Sequence, residues 1–370
     1  MAELDRFLTF LEKRGGSDFH LSSNARPMVR IHGDMMPLNA EPTSPAEVER
    51  LLLEIMPQRN AEEYRTRHDT DFAYELAGCA RFRCNAFRDR HGPGGVFRLI
   101  PSKIISADEL DLPDAVRNFC QLPKGLVLVT GPTGSGKSTT LAAMIDLINR
   151  SRKDHIITIE DPIEFVHENK QCLVNQREVY GHTASFAAAV RAALREDPDI
   201  VLVGEMRDLE TTQIALETAE TGHLVFGTLH TSTAASTVDR LIDQFPTERQ
   251  EQVRAMLSVS LRGVVAQTLL RLKDRPGRVA AFEVLVVNGA VANMIREGKT
   301  FQIPSVMQLS AKLGMICLND SLLRRVFEGK VAAEEALSKS VDRDDLRVKL
   351  SVAEQTLDVT SFPDMWPAQE

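Results

Sequence analysis

The sequence predicts an α/β protein in which a small α+β domain precedes a larger domain built on a parallel sheet. The chain has 370 residues, which is long enough for two domains. Alternating strand patterns dominate the first part, whereas from residue 124 continuous apolar runs alternate with amphipathic stretches, as in a parallel sheet covered by helices. We therefore expect one domain at residues 1–100, a linker at 101–123 and a second domain at 124–370, which becomes largely helical and has a loose tail from about residue 350.

Composition narrows the class of protein. Hydrophobic residues make up 43% and charged residues 26% of the chain, as in ordinary globular proteins. The net charge of −8 and the scarcity of Trp and Tyr argue against a broad nucleic-acid surface, so we expect no nucleic-acid partner. The five cysteines are irregularly spaced and complete no zinc site, which predicts reduced thiols in a cytoplasmic protein. We see no signal peptide or spanning segment and expect any membrane association to go through a partner.

The elements of the first domain follow from its apolar spacing. Apolar residues one turn apart predict a helix over residues 3–13, and short apolar runs predict strands at 19–21 and 28–31. A second helix is predicted from Ser44, because Ser44 and Glu47 form a capping box.

An antiparallel pattern follows in which arginines share one face. Residues 80–86 carry small or apolar side chains at even positions, and Arg81 and Arg83 at odd positions. The glycines of residues 92–95 are predicted to turn the chain into a return strand that carries Arg98. Because successive strand side chains alternate between faces, Arg81 and Arg83 are expected to point away from the core.

The second domain begins with a phosphate-binding loop. Residues 131–138 fit the pattern G-x-x-x-x-G-K-[ST], after an apolar strand and before a helix with one apolar face. The glycines let backbone N–H groups curl around a β-phosphate, and the helix N-terminus adds a positive field. Lys137 is placed to reach the β- and γ-phosphates, and Ser138 to offer its hydroxyl to Mg²⁺. The predicted cofactors are ATP and Mg²⁺, and the predicted binding residues are Gly131, Pro132, Thr133, Gly134, Ser135, Gly136, Lys137, Ser138 and Thr139.

Acidic residues follow two predicted strands at the sheet edge where ligands bind in open α/β folds. Glu205 comes after four apolar residues and fits a Walker B pattern with Glu in place of the commoner Asp, so it is expected to hold Mg²⁺ through water. Glu160 follows the strand at 156–159 and is our candidate for orienting or deprotonating the attacking water. The alternative is that both acids are merely solvated in loops.

Histidines flank the strand that begins at residue 224. His230 follows it and could sense a γ-phosphate through a hydrogen bond, whereas His223 precedes it. Taken alone, His230 would more often be structural. Because hydrolysis needs a cation on the γ-phosphate, the arginines of the first domain could be offered in trans by a neighbouring subunit; the alternative is a solvated strand face.

Together these motifs resemble the Walker A, Asp box, Walker B and His box of secretion-superfamily ATPases. Three further stretches are similar to the type IV pilus retraction ATPases, the PilT type of twitching-motility motor, and the match runs in order from about residue 4 to about residue 350. The four boxes are residues 131–138, 159–164, 202–208 and 228–231, and the further stretches are 15–21, 175–179 and 219–223.

The resemblance implies a PAS-like N-terminal domain, a RecA-like P-loop ATPase domain and a homo-hexameric ring with nucleotide between domains and subunits. It also implies a cytoplasmic location, peripheral at the inner membrane, where the ring sits on a pilus platform protein and converts ATP hydrolysis into pilin extraction. By resemblance Glu205 is the Walker B acid and Glu160 the catalytic acid, while Arg81, Arg83 and Arg98 match the family's N-domain arginines.

Two departures from the family pattern concern the output of the motor. The retraction signature at residues 290–297 retains Ala290, Arg296 and Glu297, but Ala292 replaces its first Arg. Tyr180 stands where the family usually has Gly. Arg207 in the Walker B box and His223 complete the set of candidate site residues.

Three hypotheses for the function of this ATPase remain open at this point. The first is the principal retraction ATPase. The second is an accessory ring subunit that assists a paralogous pilus ATPase, which the altered signature favours. The third, an assembly or secretion ATPase, is disfavoured because such proteins usually have an extra N-terminal domain and often a tetracysteine zinc motif.

Overall fold

The computed structural model describes residues 2–31, 33–100 and 103–355, the last three by backbone only. The chain divides into two compact units. The first contains residues up to Ile104 together with Glu160–His167 and Glu178–His182, and the second contains the remainder.

The first unit is an antiparallel sheet of six strands with helices, and its strand order is β3-β2-β1-β6-β5-β4. Helices α1 and α2 pack on β1 and β6, and the core contains Phe19, Phe82 and Phe97. Its elements are α1 (Asp5–Lys13), β1 (Asp18–Ser22), β2 (Met28–Ile31), β3 (Asp34–Pro37), α2 (Pro45–Ile55), α3 (Gln58–Arg67), β4 (Asp69–Leu76), β5 (Ala80–Asp89) and β6 (Gly92–Ile100).

The glycines at residues 92–95 do not form the predicted turn. They lie within β6 and pair with β5, with Gly95 opposite Ala86. A Cβ at Gly94 would lie 2.7 Å from the Phe87 ring, and one at Gly95 would lie 2.7 Å from a Leu52 methyl. These glycines therefore let the neighbouring side chains of Phe87 and Leu52 approach the strand closely. Composition does not distinguish this use of Gly in a strand from its use in a turn.

The second unit is built on a seven-stranded sheet of order β13-β12-β7-β11-β10-β8-β9. Strands β12, β7, β11, β10 and β8 are parallel to their neighbours in this row, and β13 is antiparallel to β12. As far as residue 203, the elements are α4 (Asp114–Phe119), β7 (Gly125–Thr130), α5 (Lys137–Ser151), β8 (His155–Glu160), β9 (Leu173–Glu178), α6 (Phe186–Ala193) and β10 (Ile200–Val203). The remaining elements are α7 (Leu209–Glu220), β11 (Leu224–Leu229), α8 (Ala234–Asp243), α9 (Thr247–Ser260), β12 (Leu261–Arg271), β13 (Arg278–Val286), α10 (Gly289–Arg296), α11 (Ile303–Leu309), α12 (Leu318–Phe327), α13 (Ala333–Lys339) and α14 (Arg343–Gln355).

Strand β12 was not predicted, because it lies in the part of the second domain that was expected to be largely helical. It pairs with β7 on one side and β13 on the other, and Val264, Val265 and Ala266 are buried. An apolar run covered on both faces has no period that separates a strand from a buried helix, which explains the error. Helix α14 continues to Gln355, beyond the start of the expected loose tail; residues 356–370 lie outside the described residues.

Candidate functional site

The phosphate-binding loop connects the buried strand β7 to helix α5. Gly131, Gly134 and Gly136 have φ values of 143°, 77° and 88°, which favour glycine. A Cβ at Gly131 would lie 2.3 Å from the backbone oxygen of Gln267 and 2.6 Å from Ser135 Oγ. The loop therefore closes tightly against β12, and its first glycine cannot be replaced without moving backbone.

The loop presents an exposed rim and a cationic side chain. Pro132, Thr133 and Gly134 are exposed, while Ser138 and Thr139 are half-buried in the first turn of α5. Lys137 Nζ donates to the backbone oxygens of Gly131 at 2.8 Å and Pro132 at 3.2 Å. The ammonium group is thus held over the loop itself, at the N-terminus of a 15-residue helix whose dipole favours an anion.

Gln267 on β12 was missed by the motif search, although it contacts the loop at several points. Its Nε2 donates to Ser135 O at 2.8 Å, and its Oε1 accepts from Thr140 Oγ1 at 2.7 Å. The side chain is buried at 5% exposure. The sequence does contain one indication of this role, an amide inside an otherwise apolar run. A buried amide requires hydrogen-bond partners.

The carboxylate of Glu205 lies in a charged cluster just after β10. Glu205 Oε1 lies 2.6 Å from His230 Nε2 and 2.5 Å from Arg207 Nε. Burial opposes ionisation of Glu205, but the hydrogen bonds from Arg207 and His230 outweigh it and hold its pKa below the ordinary value. These three side chains, two from residues 202–208 and one from residues 228–231, therefore meet around a cavity of about 230 Å³.

Hydroxyl groups connect the segment after β11 with the base of the loop. Thr231 and Thr237 share a hydrogen bond of 2.7 Å between their hydroxyls, and Thr237 Oγ1 lies 3.4 Å from Thr130 Oγ1. Thr130 is the last residue of β7, directly before Gly131. The residues that follow His230 are therefore packed against the start of the phosphate loop.

His223 lies at the opposite end of β11 from His230. The six residues of β11 lie between them, so the two histidines are roughly 20 Å apart. His223 Nδ1 lies 3.1 Å from Thr218 O, so the ring donates a hydrogen bond to the preceding helix α7. The structure therefore brings His230 to Glu205 but does not bring His223 there.

Comparison with known proteins places this chain in a family. A family model described as type II/IV secretion system protein matches residues 3–338. This chain belongs to the type II/IV secretion system protein family. It is 51% identical over 338 residues to the type IV pilus retraction ATPase PilT of Pseudomonas aeruginosa, covering 91% of this chain and 98% of that protein. The type IV pilus ATPase PilU of the same organism is 36% identical over 354 residues, covering 96% and 93%.

A solved structure gives the same result for the fold. The crystal structure of the pilus retraction motor PilT with bound ADP matches with a TM-score of 0.87 at 44% identity, covering 94% of this chain and 99% of that one. These findings confirm the predicted family resemblance, the fold class and the ATPase activity. Within the described residues, no helix is both long and apolar enough to cross a membrane.

The three arginines of this secretion-family ATPase differ in their partners. Arg81 forms an ion pair with Glu178, in the same unit, and both side chains are about 15% exposed. Arg98 donates to Asp18 at 2.9 Å. Arg83 is exposed, lies opposite Arg98 across the β5–β6 ladder, and has no ion pair within residues 2–31, 33–100 and 103–355. Like charges placed directly opposite each other are unfavourable in a sheet. Because Asp18 already pairs with Arg98, an external anion would pair with Arg83.

Glu160 is the last residue of β8 and belongs to the first unit by its contacts. It is half-buried, and its Oε2 accepts from Glu164 N at 3.4 Å. Strands β8 and β10 end in register, with Ile159 opposite Val203.

The signature segment forms helix α10, which Asn288 caps through a 3.0 Å bond from Val291 N. Val291 and Ile295 are buried, whereas Ala290, Arg296 and Glu297 are exposed. Ala292 is half-buried, so the replaced position lies beside the exposed face.

Proposed function

We propose that this protein is the ATP-hydrolysing subunit of a homo-hexameric motor that powers type IV pilus retraction. The observation that carries the proposal is 51% identity, over 98% of its length, to a protein named as a pilus retraction ATPase. The loop and acid cluster described above supply the chemistry that such a motor requires. We further propose that the ring is cytoplasmic and docks on an inner-membrane platform protein of the pilus.

In this proposal the loop binds the phosphates of ATP. Backbone N–H groups of residues 133–138 surround the β-phosphate, and Lys137 exchanges its bonds to loop carbonyls for bonds to the β- and γ-phosphates. The Ser138 hydroxyl and the ionised Glu205 carboxylate offer the oxygen donors that Mg²⁺ prefers, so the residues present fit this ion. Mg²⁺ neutralises charge on the β- and γ-phosphates when it is bound.

Three side chains are assigned to the reacting end of the nucleotide. Glu160 orients the attacking water and accepts its proton. Glu205 is kept ionised and oriented by its bonds to His230 and Arg207. Since a carboxylate only accepts hydrogen bonds, the 2.6 Å contact means that His230 Nε2 carries a proton, and His230 can report changes at the γ-phosphate to Glu205.

The cation that completes the site is proposed to come from a neighbouring subunit. Arg83 is the strongest candidate because it is exposed and carries no ion pair among the described residues, whereas Arg81 and Arg98 are engaged by acids of their own unit. An arginine supplied in trans stabilises the charge that develops on the transferred phosphoryl group.

The test measures ATPase activity per subunit against protein concentration. We expect activity to rise with concentration in the wild type, to vanish in Lys137→Ala and to fall in Arg83→Ala, with ring size by light scattering unchanged in both variants. Arg65→Ala is the matched control, since Arg65 is also an exposed arginine of the first unit without an ion pair in the described part of the chain. Concentration-independent activity that survives Arg83→Ala would contradict completion in trans.

The cellular test separates the principal motor from an accessory subunit. A strain that lacks the gene should fail to retract pili and to twitch; normal twitching would exclude the principal role. Ala292 is the observation that favours the accessory role beside a paralogous ATPase. If that role is correct, Ala292→Arg should confer independent retraction, and no gain would count against it.

A further inference from the structure

We propose that Gln267 is a positioning residue for the nucleotide phosphates, because it sets the direction in which a backbone N–H of the loop points. This residue lies on β12, 131 positions after Gly136, and touches neither Walker motif in sequence. This proposal rests on the proposed function, in which the phosphate loop binds the nucleotide. Lys137→Ala tests that function separately.

The peptide bond that joins Ser135 to Gly136 is trans. In a planar trans peptide the C=O and the following N–H point in opposite directions. Gln267 Nε2 donates to Ser135 O at 2.8 Å and so fixes that carbonyl toward β12. The N–H of Gly136 must then point away from β12. In a phosphate-binding loop this direction leads to the bound phosphate.

The orientation of the Gln267 amide is itself determined by its partners. Ser135 O can only accept, so it must face the NH₂ group of the side chain. Thr140 Oγ1 donates to Oε1 at 2.7 Å, and both Gln267 and Thr140 are buried. Thr140 lies one turn into α5 and its N–H bonds to Gly136 O at 3.0 Å. One amide therefore ties the loop and the first turn of the helix to the same strand.

The glycines of the loop are fitted to this residue. The backbone oxygen of Gln267 lies 2.3 Å from where a Cβ of Gly131 would be, and its Nε2 lies 2.8 Å from where a Cβ of Gly136 would be. Gln267 thus contacts both ends of the loop, and any larger residue at either glycine would displace it. A side chain that served only to fill the core would need neither the amide nor these two close approaches.

The experiment measures ADP affinity by calorimetry, together with KM and kcat for ATP, in the full chain. Gln267→Met removes both hydrogen bonds at similar volume, and we expect ADP affinity to fall about tenfold or more. Gln267→Glu keeps an acceptor for Thr140 but places a carboxylate against Ser135 O, so we expect a larger loss. The melting temperature of folded Gln267→Met should change by only a few degrees.

Matched variants separate positioning from folding. Thr140→Val removes the hydrogen bond to Gln267 Oε1 and should weaken ADP binding about threefold. Thr140→Ser keeps the hydroxyl and should bind ADP as the wild type does. Thr268→Val, the next residue of β12 with its side chain on the other face, should leave affinity and turnover unchanged. If Gln267→Met does not fold, Gln267→Glu and Thr140→Val still decide the question.

Two outcomes would overturn the proposal. One is ADP affinity within twofold of the wild type in folded Gln267→Met or Gln267→Glu. The other is a lower melting temperature with unchanged affinity per folded molecule, which is what a purely structural residue would give. Failure of Lys137→Ala to abolish activity would instead count against the nucleotide site itself.

Discussion

The pairing of the arginines predicts that Arg81→Met and Arg83→Met act in different ways. Arg81 and its partner Glu178 have side-chain exposures of 16% and 15%, whereas Arg83 is exposed without an ion pair in the described residues. Removing one partner of a buried ion pair costs about 3–5 kcal/mol, and an exposed pair contributes about 0–1 kcal/mol. Glu178 also accepts from Ile163 N at 3.1 Å, so it keeps one partner when Arg81 is lost. We therefore expect Arg81→Met to lower the free energy of unfolding by about 2 kcal/mol.

Arg83→Met should leave the free energy of unfolding within about 0.5 kcal/mol of the wild type, as for most exposed substitutions. Removing the repulsion between Arg83 and Arg98 across the ladder would raise the free energy of unfolding by about 0.2–0.5 kcal/mol. Its effect should fall on turnover instead, with kcat reduced on the order of 10²-fold if it contacts the transferred phosphoryl group. Stability and catalysis should therefore separate between two arginines that are two residues apart.

The assay is urea unfolding followed by circular dichroism, with hydrogen exchange of the β5 amides to report the first unit. A double-mutant cycle of Arg81→Met with Glu178→Gln should give a coupling of about 2 kcal/mol. Equal destabilisation by Arg81→Met and Arg83→Met, or a coupling near zero, would refute the reasoning. Either result would show that the Arg81–Glu178 ion pair is as weak as a surface pair.

Two further predictions use other parts of the second unit. Burial opposes ionisation of Glu328, but hydrogen bonds from Lys330 and Arg325 outweigh it and lower the pKa of Glu328 to about 2. The ionised carboxylate therefore stabilises the fold fully above pH 4.5, and this contribution is lost as the pH falls toward 2. Glu328→Gln should lower the free energy of unfolding at pH 7 by about 1–2 kcal/mol after allowance for solvent screening, and should flatten its dependence on acid pH. Glu334→Gln is the control, since Glu334 has no ion pair among the described residues; equal pH dependence of the two variants in urea titrations would contradict this. Gly131→Ala should weaken ADP binding more than 10²-fold, because the added Cβ would collide with a backbone oxygen of β12. Gly134→Ala has open space around its Cβ and should weaken ADP binding about tenfold or less. Equal losses of affinity by calorimetry would show that the contact with β12 is unimportant.

Local patterns predicted those parts of the fold that depend on one segment at a time. The alternation around Phe82 and Cys84 predicted which face of β5 is buried, and both side chains have 0% exposure. Continuous apolar runs likewise predicted β7, β8, β10 and β11, because both faces of a parallel sheet are covered. These signals depend on the period of the sequence, which the chain carries locally.

Other parts could not be predicted because they depend on partners that are distant in sequence. Strand β12 is defined by pairing with β7, more than a hundred residues earlier, and its apolar run has no period of its own. The same holds for the site, where motifs identified Lys137 and Glu205 but gave no indication of Gln267. Its role arises from register, since Ala266 pairs with Thr130 and so places Gln267 beside the start of the loop.

Tyr180 shows how a departure from a family pattern is accommodated by such a distant partner. Its φ of 67° lies in the left-handed region that glycine adopts freely and that costs other residues about 1–2 kcal/mol. The Arg59 guanidinium lies 4.5 Å from the centre of the Tyr180 ring, and Arg59 Nη1 donates to Tyr180 O at 3.0 Å. A cation–π contact at an exposed site contributes about 0.5–1 kcal/mol and a hydrogen bond about as much, so together they offset most of the strain. The backbone conformation that suits Gly is therefore retained by a side chain on α3, and the departure does not by itself imply a different fold or a lost activity.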